Sequence, residues 1–191
     1  MNLYSRLFLR IKVEGTGNIP RKGGVLMASN HLSYWDPPVV AANSGRLVRF
    51  MAKESLFEKP FFGWYIAKLG AFPVKREASD SWAYKMSLKI LKEGGKLLVF
   101  PEGTRGDWKK LGEAKPGIAR IAFAGGVPVV PVLVSYEKKL ELFGLNRVSL
   151  RFGKPISYDE KMGKKKEYLQ EFSEKIMSSM KELDYEGRFK N

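Results

Sequence analysis

Cysteine is absent from this 191-residue sequence, and histidine occurs once, as His31. The first absence excludes disulfides, a thiol nucleophile and thiolate metal ligands. With a single imidazole as well, a zinc centre has no ligand set, and no metal site is expected. A phosphohydrolase built on several histidines or a metal cluster is excluded on the same ground. Long apolar runs are also missing. The longest uncharged run, Ile121–Tyr136, is interrupted by Gly125-Gly126, Pro128 and Pro131 and is too short to cross a bilayer. The first ten residues are short, amphipathic and broken by Arg6 and Arg10, unlike a signal peptide. There is no repeat, low-complexity segment or interdomain linker. No Lys/Arg-rich recognition helix or RNA-binding motif is visible, so no nucleic-acid partner is expected. A cysteine-free composition fits a reducing cytosol.

Acidic residues are scarce relative to basic ones: 20 against 34, for a formal net charge of +14. The excess is not a basic tail, because residues 46–120 alone carry +8. Such a field attracts phosphorylated substrates, anionic headgroups or an acidic carrier protein. The rest of the composition, 44% hydrophobic and 13% aromatic, is that of one folded domain.

Strand and helix patterns alternate along the chain. Strands are predicted at 24–29, 47–52, 71–74, 96–100, 127–134 and 147–152. Helices are predicted at 37–43, 56–69 with a break near Pro60, 79–93, 116–124 and 164–183. This order predicts a single α/β domain over 1–191, a mostly parallel or mixed central sheet covered by helices on both faces. Residues 1–20 read as an amphipathic segment able to contact a membrane, and 160–191 as a C-terminal helix region. In such sheets the functional crevice lies at the carboxyl ends of strands.

Two conspicuous segments follow strands. The first is Asn30-His31-Leu32-Ser33-Tyr34-Trp35-Asp36-Pro37-Pro38. Histidine can take and return a proton near neutrality, and a carboxylate on its second nitrogen makes it a better-aimed base. Pro37 keeps Asp36 out of the helical region, so the segment is a turn, which can fold Asp36 back onto His31. The same residues also fit an ordinary helix start, with Asp36 as N-cap and Pro37 in the first turn. The second segment is Phe100-Pro101-Glu102-Gly103-Thr104-Arg105-Gly106. Its glycines permit close backbone approach and its amides with Arg105 can cradle a phosphate. A polar turn with a surface arginine fits equally well.

These motifs, in order, resemble those of the glycerolipid acyltransferases, specifically bacterial 1-acylglycerol-3-phosphate (lysophosphatidate) acyltransferases of the PlsC type. The family's Asn-His-x-Ser-x-x-Asp block appears at residues 30–36. A second appears as Ala52-Lys53-Glu54-Ser55-Leu56-Phe57, with Pro60, Gly63 and Gly70-Ala71-Phe72-Pro73-Val74-Lys75-Arg76. The third runs from Phe100 to Arg105, and the fourth is the proline-flanked strand Val127–Val132. The likeness spans about residues 20–155. With little sequence before the first block, the long N-terminal anchor of many relatives is expected to be absent or reduced.

The resemblance implies acyl transfer from a thioester of acyl carrier protein or coenzyme A to the sn-2 hydroxyl of lysophosphatidate, with no cofactor beyond that co-substrate. His31 is then the general base and Asp36 its orienting partner. Arg76 and Arg105 are the phosphate ligands. Lys53 is a further candidate, with a surface lysine as the other reading. Glu102 either orients Arg105 or holds a glycerol hydroxyl; Gly103 and Thr104 support the site. Ser33 reads as a turn hydroxyl. Pro128 and Pro131 either shape the donor side or punctuate a core strand. Glycerol-3-phosphate or a different lysolipid is the alternative acceptor, and a basic membrane-surface module the non-enzymatic alternative. Leu3, Leu7 and Phe8, with Phe61, Phe62 and Trp64, supply the aromatic and apolar groups of an interfacial anchor, amid lysines. Phe57 and Phe61 read equally as core. The expected location is the cytoplasmic face of an anionic membrane, peripheral or monotopic.

Overall fold

In the computed structural model, described for residues 9–75, 81–137, 146–159, 161, 163 and 165–189, seven strands form one sheet. They are β1 (Leu9–Glu14), β2 (Val25–Ser29), β3 (Val48–Lys53), β4 (Ala71–Val74), β5 (Lys96–Val99), β6 (Val129–Tyr136) and β7 (Asn146–Phe152). Their order across the sheet is β1-β7-β6-β2-β5-β3-β4. All pairings are parallel except β6 with β7. Five helices accompany them: α1 (Asp36–Asn43), α2 (Pro60–Lys68), α3 (Ser81–Lys92), α4 (Gly117–Gly125) and α5 (Lys166–Lys181).

Central strands are apolar on both faces, as a sheet covered on both sides requires. Val25 and Met27 of β2 pack with Val39 and Val40 of α1 and Ile66 of α2. Leu26 and Ala28, pointing the other way, pack with Ile90 and Leu91 of α3, Ile118 and Ala122 of α4, and Phe172 and Ile176 of α5. The stripe Leu169, Phe172, Ile176 and Met180 is buried as its helical spacing predicts.

Element boundaries fall within a few residues of the expected ones, with one strand unforeseen. Leu9–Glu14, which the sequence reading places in an amphipathic N-terminal segment, is an edge strand paired in parallel with β7. Buried Arg151 of β7 locks this edge, bonding Glu14 at 2.9 Å and the Leu183 carbonyl at 3.0 Å. Leu3, Leu7 and Phe8 lie outside the described residues.

Because β2, β5 and β6 run parallel side by side, their carboxyl ends open at one edge of the sheet. The turn carrying His31 leaves β2, the Phe100–Gly106 turn leaves β5, and β6 ends at Tyr136. Topology alone therefore gathers three segments far apart in the chain.

Candidate active site

The amide of Asn30 extends the sheet beyond the end of β2. Its Nδ2 donates to the Val134 carbonyl at 2.9 Å, and its Oδ1 accepts the Val134 N–H at 2.8 Å. This side chain substitutes for a backbone rung and lets the chain turn at His31 while β6 continues.

The turn closes on Asp36, which is fully buried. Its Oδ2 accepts the N–H groups of Leu32 at 2.6 Å and Ser33 at 2.7 Å, and lies 2.9 Å from His31 Nδ1. Its Oδ1 accepts the Tyr136 hydroxyl at 2.5 Å. The helix start with Pro37 in its first turn is observed, but the N-cap reading of Asp36, and the expectation that Pro37 keeps it out of the helix, are corrected. Trp35 is the N-cap residue, Asp36 is the first residue of α1, and its carboxylate organises the turn before the helix instead of capping it. Ser33 is the turn hydroxyl expected, its Oγ accepting the Trp35 N–H at 3.2 Å.

With Nδ1 on a carboxylate, His31 carries its proton there and leaves Nε2 free as a base. Its ring stacks on Phe100 at 4.0 Å between centroids and 20° between planes. Both sides of its backbone are held from the second motif. Glu102 Oε1 accepts the His31 N–H at 3.2 Å, and the Gly106 N–H donates to the His31 carbonyl at 2.8 Å.

Glu102 therefore has a placement that neither sequence expectation named. It grips the His31 turn and sits where side chains at Gly106 and Gly112 would collide with its Oε2, at 2.2 and 2.7 Å from their would-be Cβ atoms. Burial pushes its carboxyl above the usual range, opposed by bonds from the His31 and Gly112 backbone. Arg105 instead lies over the exposed ring of Tyr34, 4.0 Å from its centroid. Gly103, at φ +75°, makes the turn that a side chain would strain. Thr104 is exposed, its hydroxyl on the Arg105 carbonyl.

His31 opens into a cavity of about 250 Å³ whose walls are mostly apolar: Phe50, Leu56, Phe62, Ile66, Val74 and Leu98, among others. Lys53, Tyr34 and Gly103 also line it. Lys53 thus sits at the cavity rather than paired with Glu54, whose carboxylate is 3.9 Å from Lys75. Pro128 and Pro131 are not among the lining residues; the Pro128 and Pro131 carbonyls serve the sheet, accepting the Leu26 and Gly153 N–H groups. Arg76 lies outside the described residues. Among the described residues no cluster of His, Asp and Glu could hold a metal.

Sequence reasoning missed Tyr136 and Phe100 as members of this site. Tyr136 is buried, packs on Trp108, and is pushed far above the ordinary tyrosine range by burial and by the Asp36 charge. Only its place at the end of a strand beside β2 could have pointed to it.

Residues 10–135 match the profile of the acyltransferase family. The chain belongs to that family. It is 32% identical over 181 residues to a 1-acyl-sn-glycerol-3-phosphate acyltransferase of Streptococcus pneumoniae, covering 92% of this chain and 66% of that protein. A Bacillus subtilis protein of the same name is 32% identical over 179 residues, covering 91% of this chain and 88% of its own length. The crystal structure of the 1-acyl-sn-glycerophosphate acyltransferase PlsC of Thermotoga maritima superposes with a TM-score of 0.72 at 29% identity. That match covers 98% of this acyltransferase and 77% of the Thermotoga chain.

Proposed function

We propose that this acyltransferase moves an acyl group from a thioester, of acyl carrier protein or coenzyme A, to the sn-2 hydroxyl of 1-acylglycerol-3-phosphate, giving phosphatidate. The observation that carries the reading is His31, held 2.9 Å from a fully buried carboxylate at the head of an apolar cavity. His31 Nε2 removes the hydroxyl proton as the oxygen attacks the thioester carbon. The new C–O bond forms, the tetrahedral intermediate collapses, and the C–S bond breaks. The thiolate leaves with the proton from the imidazolium. Asp36 fixes the tautomer and stabilises the imidazolium between the two transfers. No acyl-enzyme is required.

The remaining groups follow from their positions. The apolar walls suit an alkyl chain. Arg105, fixed over Tyr34 beside the mouth, supplies a fork for the acceptor phosphate, with Lys53 as a further cation; Arg76 joins them on the family motif alone. The acceptor is itself a membrane lipid, so the reaction belongs at an anionic bilayer surface, and we place the protein on its cytoplasmic side. No described helix is long and apolar enough to cross a membrane.

The test is thiol release by purified protein given lysophosphatidate and each donor. Turnover is expected with at least one, and His31→Ala is expected to lower it by about 10²–10⁴ with the circular dichroism spectrum unchanged. Turnover only with glycerol-3-phosphate or another lysolipid would move the acceptor assignment. No turnover with any acceptor, or a fully active His31→Ala, would overturn the reading.

A further inference from the structure

At the opposite end of the sheet from His31, a groove of about 440 Å³ lies against the start of β5, beside Thr16, Asn43 and Ser44. Lys96 of β5 is in register with Val25 and Val48, the first residues of β2 and β3. By strand rise this is roughly 20 Å from His31. Three cations line the groove, Arg21, Arg46 and Lys96, and no carboxylate does.

Lys96 is only 3% exposed. Its Nζ donates to the Ser44 carbonyl at 2.5 Å, closing the end of α1. Arg46 reaches the carbonyls of Gly94 at 3.3 Å, Gly23 at 3.1 Å and Pro20 at 3.5 Å. Each of these acceptors is neutral. They satisfy hydrogen bonds but cancel no charge, and the Lys96 bond uses one of three ammonium protons. Burial, and then the Arg46 charge, push the Lys96 ammonium below the usual lysine range. A buried cation beside a second cation is costly unless an opposite charge joins it.

We propose that this groove binds a small phosphate-bearing anion, held by Lys96 and Arg46 with Arg21 at the rim. The site is independent of the catalytic reading, because it needs nothing from His31 or its cavity. The ligand is a free phosphate or phosphate ester rather than a lipid headgroup. The mouth near His31, with Tyr34 and Phe62 of α2 in its lining, lies at the other end of the strands, so a bilayer engaged there leaves this groove facing water.

Titration of the full chain with inorganic phosphate, chloride balancing ionic strength, tests the proposal through the backbone amide resonances of residues 43–46. Saturable shifts are expected that chloride does not produce. They should weaken at least tenfold in Lys96→Met and in Arg21→Glu; the latter changes only an exposed residue and keeps the test if Lys96→Met folds poorly. Arg105→Ala should abolish any separate response near Gly103 and leave the 43–46 response intact, which distinguishes this groove from the catalytic mouth. Phosphate acting no differently from chloride, or binding unchanged in the folded variants, would overturn the site. Shifts at 43–46 with phosphatidate vesicles but not with free phosphate would overturn the soluble ligand.

Discussion

Four donors converge on Asp36: the His31 ring, the Leu32 and Ser33 N–H groups and the Tyr136 hydroxyl. Three define the turn, while the tyrosine bears on the charge. Its hydrogen bond draws electron density from the carboxylate that backs His31. Without it one oxygen of the buried carboxylate loses its partner and the backing of His31 is no longer fixed. Tyr136→Phe should therefore lower kcat more than it changes KM, and cost about 1–3 kcal/mol of stability by leaving part of a buried carboxylate unsatisfied. A stability loss with an unchanged kcat would reduce Tyr136 to packing.

Glu102 offers a second test at this scale. Its raised pKa means that the folded protein keeps this proton to higher pH than the unfolded chain. The stability so gained is fully present below the ordinary glutamate pKa of about 4.3 and is lost as pH rises through the raised value. Glu102→Gln cannot titrate. Relative to that variant, wild type should lose thermal midpoint as pH rises above the ordinary glutamate range; a constant gap would contradict the shift. The pairing of a histidine with an aspartate five residues on was legible because a proline-bounded turn is local. Tyr136, 100 residues beyond Asp36, and the grip of Glu102 on the His31 backbone leave no local pattern. They arise from which strand ends the sheet places side by side.

Among the elements, β1 carries two signals that compete. Leu9-Arg10-Ile11-Lys12-Val13-Glu14 alternates apolar and charged residues, the period of a half-exposed strand. With the apolar residues before it, the segment reads as an amphipathic membrane-contacting stretch. The internal strands needed no such arbitration, since runs such as Val129–Val134 are apolar on both faces. Gly63 of α2 illustrates a residue whose reason appears only in three dimensions. A Cβ there would stand 2.5 Å from the Phe57 carbonyl oxygen and 2.8 Å from its Cα, so the helix rests directly on the preceding turn. Gly63→Ala must push α2 outward, at a cost of about 1–3 kcal/mol in urea denaturation. Phe62 and Ile66 of the same helix line the cavity, so the KM for the thioester should rise as well. An alanine variant as stable as wild type would mean that the turn yields without moving the helix.

At the scale of the molecule, exposed aromatic residues and the cavity lining meet on α2. α2 turns its apolar residues outward: only Gly63 and Ile66 are buried, while Phe61 is 92% and Trp64 65% exposed. Phe61, Trp64, Tyr65 and Lys68 are spaced as one helical stripe, with Lys68 Nζ 5.8 Å from the Trp64 ring. Such a stripe facing water is unfavourable unless a surface covers it, and aromatic rings among lysines suit the lipid headgroup layer. The same helix sends Phe62 into the cavity with His31, and Tyr34, also exposed, shares that lining. A lipid acceptor leaving the bilayer along α2 would thus meet the base without crossing water. The protein should sediment with anionic liposomes at low salt. Binding should weaken as the screening length falls from about 10 Å at 0.1 M to about 3 Å at 1 M, each basic residue near the surface contributing about 1 kcal/mol. Replacing Phe61, Phe62 and Trp64 together by serine should reduce binding even at low salt, because that change removes the inserted area and leaves the charge. A folded triple variant that sediments like wild type would show that charge alone holds the protein and that α2 faces elsewhere.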